Sequence, residues 1–317
     1  MIYTVSHLSK TFHTKKPHIA NHDITFSINE GEIFSILGNN GAGKTTLIKQ
    51  MLKLINPTSG EIFFDEKNIK AINNSVYYRR INAVLEGNRN LYWYLTGYQN
   101  IMYFGRLFGY SDKELKIRGR ELLEFFGLYN ERHQKVGYYS RGMQQKMAII
   151  VALINKPRVL FLDEPTLGLD IHAKKEVIKK VKCLSEEEHT TIILTSHQLD
   201  VIEQLTNQVM VLDKGNCLFL GNIAQLKHYY SDNKYHLRIQ AKLTREEVAK
   251  FFENFQLKIS DNGTDLNLYV QNYDELQSFI KYLASNNYQL VHLFEDSFSL
   301  EEVMFRFYEK QSVKREG

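Results

Sequence analysis

Residues Gly38-Asn39-Asn40-Gly41-Ala42-Gly43-Lys44-Thr45 have the types and spacing of a loop that wraps a phosphate group, G-x-x-x-x-G-K-[ST]. Glycines let the backbone approach closely, so its amides, and the positive end of a helix starting there, meet the phosphate charge. Lys44 adds a cation for the β- and γ-phosphates of a nucleotide. The Thr45 hydroxyl is a ligand for Mg²⁺, and Thr46 continues the same helix start. An apolar run precedes the loop and a helical one follows, which distinguishes it from a glycine-rich structural turn.

A second set of oxygens comes later. Val159-Leu160-Phe161-Leu162 reads as a buried strand ending on Asp163 and Glu164, and open α/β sheets place their ligands at strand C-termini. Alone, two such acids are a solvated strand end. With the phosphate loop upstream, Asp163 is placed to hold Mg²⁺ directly or through water. Glu164 is placed to orient or deprotonate an attacking water, a role worth roughly 10²–10⁴-fold in rate.

The elements that position these groups follow from the pattern of apolar residues. Glu32–Leu37, Arg158–Leu162 and Thr190–Leu194 look like strands buried on both faces, each followed by turn chemistry and a helix, as in a parallel sheet. Tyr3–His7, Asp23–Ile28 and Gly60–Asp65 suggest an antiparallel element beside it. Between Gly97 and about residue 140 the pattern is helical. There Ser111 and Glu114 form a capping box ahead of Leu115, Arg118, Leu122, Phe125 and Phe126.

From residue 228 onward the chain reads as a small separate domain. A strand at Tyr235–Ile239 precedes a helix capped by Thr244 and Glu247, with Val248, Phe251, Phe252 and Phe255 at helical spacing. Two strands follow, the second with Leu266, Leu268 and Val270 on one face. A helix with Leu276, Phe279, Ile280 and Leu283, a strand near Tyr288–Phe294 and a last helix from Ser299 complete it. The order β-α-β-β-α-β suggests a split βαβ, ferredoxin-like fold. The expected fold is thus α/β: a P-loop NTPase core over residues 1–227, with a parallel sheet, an antiparallel β element and a helical insertion, plus an α+β domain over 228–317.

The motifs together resemble those of the ABC ATPases. Tyr139-Ser140-Arg141-Gly142-Met143-Gln144-Gln145 is similar to their LSGGQ signature, and Asp163 to Asp170 to their Walker B and D-loop. Thr195-Ser196-His197 resembles their switch histidine segment, and Phe12 falls where the family sets an aromatic ring against adenine. For Phe12 a packed strand end is the competing reading. The likeness runs from about Ile2 to Lys227.

The resemblance implies ATP and Mg²⁺ as ligands, with Thr45, Asp163 and Glu86 around the metal. Asn39, Asn40, Gly41, Ala42, Gly43, Lys44, Thr45 and Thr46 would hold phosphate. Ser140 and the amides around Gly142 would cap the γ-phosphate held by a second subunit, and Asp170 would align the two halves. Glu164 and His197 would act at the attacking water, with Glu86 beside them. The implied assembly is a homodimer, or a heterodimer with a second ABC ATPase, bound to an integral-membrane permease. Its implied place is cytoplasmic, peripheral on the inner face of the cell membrane, and its implied work is export.

Two departures from the family pattern carry charge. Glu86 stands where the family usually has glutamine; as a carboxylate it ligates Mg²⁺ but adds negative charge beside ATP, so hydrolysis should be more Mg²⁺-dependent than with glutamine. Arg141 replaces a signature glycine, and Met143 replaces its glutamine, while Gly142 is kept. Such a signature and the C-terminal extension look like the drug-, peptide- and sodium-extrusion branch.

Composition fits this reading. Of 317 residues 43% are hydrophobic and 24% charged, as in a core-forming protein of two domains. A net charge of +4, with no long block of like charge, gives no basis for nucleic-acid binding. The longest apolar run, Met147 to Ile154, is far short of the ~20 residues that span a bilayer. Cys183 and Cys217 match no metal or redox spacing and read as ordinary semi-buried thiols. The aromatic residues Tyr92, Trp93, Tyr94, Tyr98, Tyr103 and Phe104 serve either packing or a groove for a permease helix. A soluble ABC ATPase acting on ribosomes or DNA, and a regulator that signals through a membrane protein without transport, are the alternative functions. For the C-terminal domain a dimer-stabilising cap competes with a ligand-sensing module.

Overall fold

The computed structural model of the chain describes residues 1–13, 17–87, 91–229, 233–253, 255–260, 263–270, 273–296 and 300–304. In chain order the elements of the first part are β1 (Tyr3–Phe12), β2 (His18–Ile28), β3 (Ile33–Leu37), α1 (Lys44–Met51), β4 (Ser59–Phe64), β5 (Lys67–Asn68), α2 (Asn74–Arg80) and β6 (Ile81–Val84). Then come α3 (Gly97–Leu107), α4 (Asp112–Phe125), α5 (Arg141–Ala152), β7 (Val159–Asp163), α6 (Ile171–Glu186), β8 (Thr191–Ser196), α7 (Leu199–Leu205), β9 (Gln208–Asp213) and β10 (Asn216–Gly221). The last part holds α8 (Ile223–Tyr229), β11 (Asn233–Ile239), α9 (Arg245–Ala249), β12 (Phe255–Ser260), β13 (Gly263–Val270), α10 (Tyr273–Ser285) and β14 (Leu290–Asp296).

The chain divides into two compact units, Met1–Ile223 and Ala224–Gly317. In the first, a six-stranded sheet has the order β10-β9-β3-β8-β7-β6. Its pairs are parallel except the edge pair β9–β10. Every residue of β3, β7 and β8 is buried, which is why these strands read as mainly apolar without strict alternation. A four-stranded antiparallel sheet, β2-β1-β4-β5, packs against it. Aromatic rings join the two sheets: Tyr3 of β1 lies 6.1 Å from Phe161 of β7, and Phe26 of β2 stacks on Phe34 of β3 at 5.1 Å.

The helical insertion is built from two well-capped helices. Thr96 with Gln99, and Ser111 with Glu114, form reciprocal capping boxes at the starts of α3 and α4. Their faces meet through glycine. A Cβ on Gly105 would lie 2.1 Å from Leu115, and one on Gly119 would lie 2.9 Å from Ile101. Each helix thus offers a notch that the other's branched side chain fills.

In the second unit the antiparallel sheet has the order β12-β13-β11-β14, the 4-1-3-2 arrangement of a split βαβ fold. One finding departs from the sequence pattern. The helix capped by Thr244 ends at Ala249, and Phe255 opens β12 opposite Leu268 instead of extending the helix. The Phe251 amide bonds to Val248 O, an i→i−3 contact that tightens and ends the turn. Phe252 still joins the core with Val248 and Phe279, so helical spacing and strand alternation serve one apolar cluster. Residues 300–304 are helical, whereas Ser299 lies outside the described residues. Among the described residues no helix is long and apolar enough to cross a membrane.

Candidate active site

The phosphate-loop sequence leaves β3 and enters α1 as expected, and its glycines have specific reasons to be glycine. A Cβ on Gly38 would lie 2.4 Å from the Leu212 carbonyl oxygen. Gly43 caps α1 at φ 106°, and a Cβ there would lie 2.2 Å from the Ala20 carbonyl. The loop is also tied from behind. Gly215 donates its N–H to Ala42 O, His22 donates to Gly215 O, and Asn21 Nδ2 donates to Gly43 O.

Lys44 is buried and donates through Nζ to Gly38 O at 2.6 Å and Asn39 O at 3.3 Å. Burial pushes its pKa down, and the carboxylates of Glu164, Asp163 and Glu86 push it back up. The ammonium is therefore held in its own loop, in the field of three acids.

Asp163 ends β7. Its Oδ2 accepts from the Thr45 hydroxyl at 3.4 Å, and its Oδ1 accepts from the buried Thr195 hydroxyl on the adjacent β8. Thr195 Oγ1 in turn accepts the Glu164 N–H at 3.1 Å, so one hydroxyl spans both acids. Glu164 sits at φ 51°, a left-handed conformation that costs a non-glycine residue about 1–3 kcal/mol. Its Oε1 meets His197 Nδ1 at 2.9 Å, while its buried Oε2 has no partner among the described residues. A strained carboxylate with one unpaired buried oxygen is a candidate functional group.

These groups open on one cavity of about 510 Å³, lined by Asn39 to Thr46, Glu86, Asp163, Glu164, Leu167, His197, His18 and Ala20. The predicted phosphate and metal residues are thus brought together. Phe12 is not part of that lining. It ends β1 opposite His18, half-buried, with Lys10 Nζ 5.1 Å from its ring centroid. Ser140, Gly142 and Asp170 also lie outside the cavity lining. Ser140 caps α5 by accepting the Met143 N–H, Asp170 caps α6 by accepting the Ala173 N–H, and Gly142 abuts Ala173 so closely that a Cβ would lie 2.6 Å from it. The two caps therefore belong to one packed pair of helix starts.

The sequence did not point to His18 or Ala20, and it named Thr195 only within the switch segment, without a role of its own. The signal for Thr195 was its place on the strand beside β7, which only pairing reveals. Oxygen-only donors, namely the Thr45 hydroxyl and the Asp163 and Glu86 carboxylates, suit a hard cation such as Mg²⁺. Mg²⁺ typically takes one or two carboxylates and completes its shell with water and substrate phosphate. No group of three or more His, Cys, Asp or Glu forms a closed metal cage among the described residues.

With this geometry in view, the kinship is clear. The ABC transporter family model matches residues 21–167. The ABC transporter ATP-binding protein NatA of Bacillus subtilis (strain 168) is 35% identical over 227 residues, covering 70% of this chain and 90% of the relative. The daunorubicin/doxorubicin resistance ATP-binding protein DrrA of Streptomyces peucetius is 32% identical over 227 residues, covering 72% and 68%. The methionine import ATP-binding protein MetN of Staphylococcus haemolyticus (strain JCSC1435) is 32% identical over 221 residues, covering 68% and 64%. Among solved structures, the dimeric post-hydrolysis state of the ATP-binding cassette MJ0796 with ADP and Pi matches with a TM-score of 0.64 at 25% identity. It covers 70% of this chain and 99% of that one. The chain belongs to the ATP-binding proteins of ABC transporters. It is an ATPase.

Proposed function

We propose that this ATPase powers an exporter, closing as a dimer over ATP on the cytoplasmic face of a membrane, beside a separate integral-membrane permease. The observation that carries the dimer is the division of the motifs. Lys44, Thr45, Glu86, Asp163, Glu164 and His197 meet around one cavity, whereas the Ser140 and Asp170 helix starts stand outside it. A helix N-terminus attracts anions, so the free end of α5 is suited to the γ-phosphate held by a second subunit. The MJ0796 cassette, itself dimeric, supports this reading.

Within each chain the loop amides and Lys44 bind the triphosphate, and Thr45, Asp163 and Glu86 hold Mg²⁺. Bound Mg²⁺ would neutralise charge on the β- and γ-phosphates. Glu164 accepts a proton from, or orients, the attacking water, and its Oε2 is not engaged by any donor among the described residues. His197 steadies Glu164 and hydrogen-bonds the γ-phosphate. Phe12 stacks on adenine, with Lys10 behind it.

The half-exposed Trp93, the exposed Tyr94 and Tyr138, and the half-exposed Tyr103 form the surface that receives a permease helix. The C-terminal unit stabilises the dimer. Export is supported by likeness to the drug-resistance protein DrrA, and likeness to MetN favours import as a second reading. Co-expression with the permease in inverted vesicles decides between them. Export requires ATP-dependent accumulation of cargo inside inverted vesicles; loss of preloaded cargo would mean import.

A further inference from the structure

The two charged departures from the family pattern, Glu86 and Arg141, line the same cavity. This space of about 280 Å³ adjoins the phosphate-loop cavity and is shared by Asp163, Glu164, Gly168 and Trp93. Three carboxylates face it, and Arg141 is the one cationic side chain among its described lining residues. Arg141 opens α5 directly after Ser140, yet its guanidinium turns toward its own chain: a Cβ built on Gly168 would lie 3.0 Å from Nη1. Its side chain is exposed, and among the described residues it has no hydrogen-bond or ion-pair partner, so no other group neutralises its charge. Glu86 is near enough to the catalytic groups to raise the pKa of Lys44.

We propose that Arg141 is a positioning residue for the hydrolytic site of its own chain, offsetting the negative charge that Glu86 brings to a place usually held by glutamine. The inference rests on the ATPase reading of the site. A carboxylate beside a triphosphate repels it, and a guanidinium lining the same half-solvated cavity offsets part of that repulsion. Because the guanidinium is seated between the start of α5 and the Gly168 turn, that balance also depends on where α5 stands. Trp93, the only tryptophan in the chain, lines the same cavity and reports on it.

The test is a double-mutant cycle in the full chain: wild type, Arg141→Gln, Glu86→Gln, the double variant, and Arg141→Lys. Arg141→Gln is expected to lower kcat roughly fivefold with the KM for ATP little changed. In the Glu86→Gln background the same substitution should cost about twofold or less, and Arg141→Lys should keep most of the wild-type rate. Trp93 emission should shift in Arg141→Gln without any nucleotide. Equal losses in both backgrounds, or unchanged Trp93 emission, would overturn the proposal. So would a raised KM in both backgrounds, which would place Arg141 on nucleotide held by the partner subunit. A wild-type chain that hydrolyses no ATP would instead remove the ATPase reading beneath it.

Discussion

His197 Nδ1 lies 2.9 Å from Oε1 of Glu164, joining the ends of two neighbouring parallel strands, β7 and β8. The contact fixes one carboxylate oxygen and leaves the other, Oε2, buried and unpaired. It also ties the histidine's position to the acid's strained backbone. A shift at either strand end is therefore felt at the other.

Glu164→Gln removes the proton acceptor but keeps the shape. Turnover should fall roughly 10²–10⁴-fold while ATP affinity is retained, and the dimer should accumulate with ATP. Steady-state hydrolysis with light scattering checks both; full activity in the variant would take Glu164 out of the chemistry.

Gly38→Ala and Gly41→Ala differ for a geometric reason. The first drives a Cβ to 2.4 Å from the Leu212 carbonyl, a backbone atom that cannot swing aside. It should cost about 2 kcal/mol or more and weaken ATP binding. Gly41 sits at φ 81° with nothing within 4 Å, so alanine there should cost about 1 kcal/mol, from backbone strain alone. Urea unfolding and nucleotide titration of both variants measure the difference.

Trp93→Ala trims a half-exposed ring away from the phosphate loop. Co-purification with the permease and permease-stimulated hydrolysis should drop, while ATP binding by the isolated chain stays close to wild type. Loss of ATP binding in this variant would place Trp93 in the nucleotide site instead.

Glu247 gives a pH-dependent test in the second unit. Hydrogen bonds from the Thr244 amide and hydroxyl, and from Tyr282 and Tyr288, bring its pKa down from 4.5 to about 2. A lowered folded-state pKa stabilises above the unfolded value, and that contribution is lost as pH falls through about 2. Glu247→Gln should therefore destabilise the unit at pH 7, by about 1 kcal/mol or less given its solvent exposure. The difference should shrink below about pH 4. Amide exchange in α9 and α10 at the two pH values reads it out.

Much of this was legible in the sequence because burial on both faces leaves a plain mark. β3, β7 and β8 each read as mainly apolar runs without strict alternation, and the loop between β3 and α1 announces itself by glycines that a carbonyl on β9 and another on β2 make obligatory. What stayed hidden depends on pairing across long separations. Thr195 acquires its place between two acids only when β8 lies beside β7, and His18 reaches the phosphate-loop cavity only because β2 folds back along β1. Phe255 kept a helical interval yet joined a strand, since the same apolar side chain satisfies either periodicity once the turn after Ala249 has closed. The approach of the exposed Arg141 to Gly168 was equally invisible, because its type and position said nothing of its rotamer.

The glycine notches that join α3 and α4 have a mechanical consequence. With Leu115 seated over Gly105 and Ile101 over Gly119, the pair leaves no slack in which one helix slides past the other. A push on the exposed Tyr103 of α3 is thus passed on to α4 rather than absorbed as sliding between the two helices.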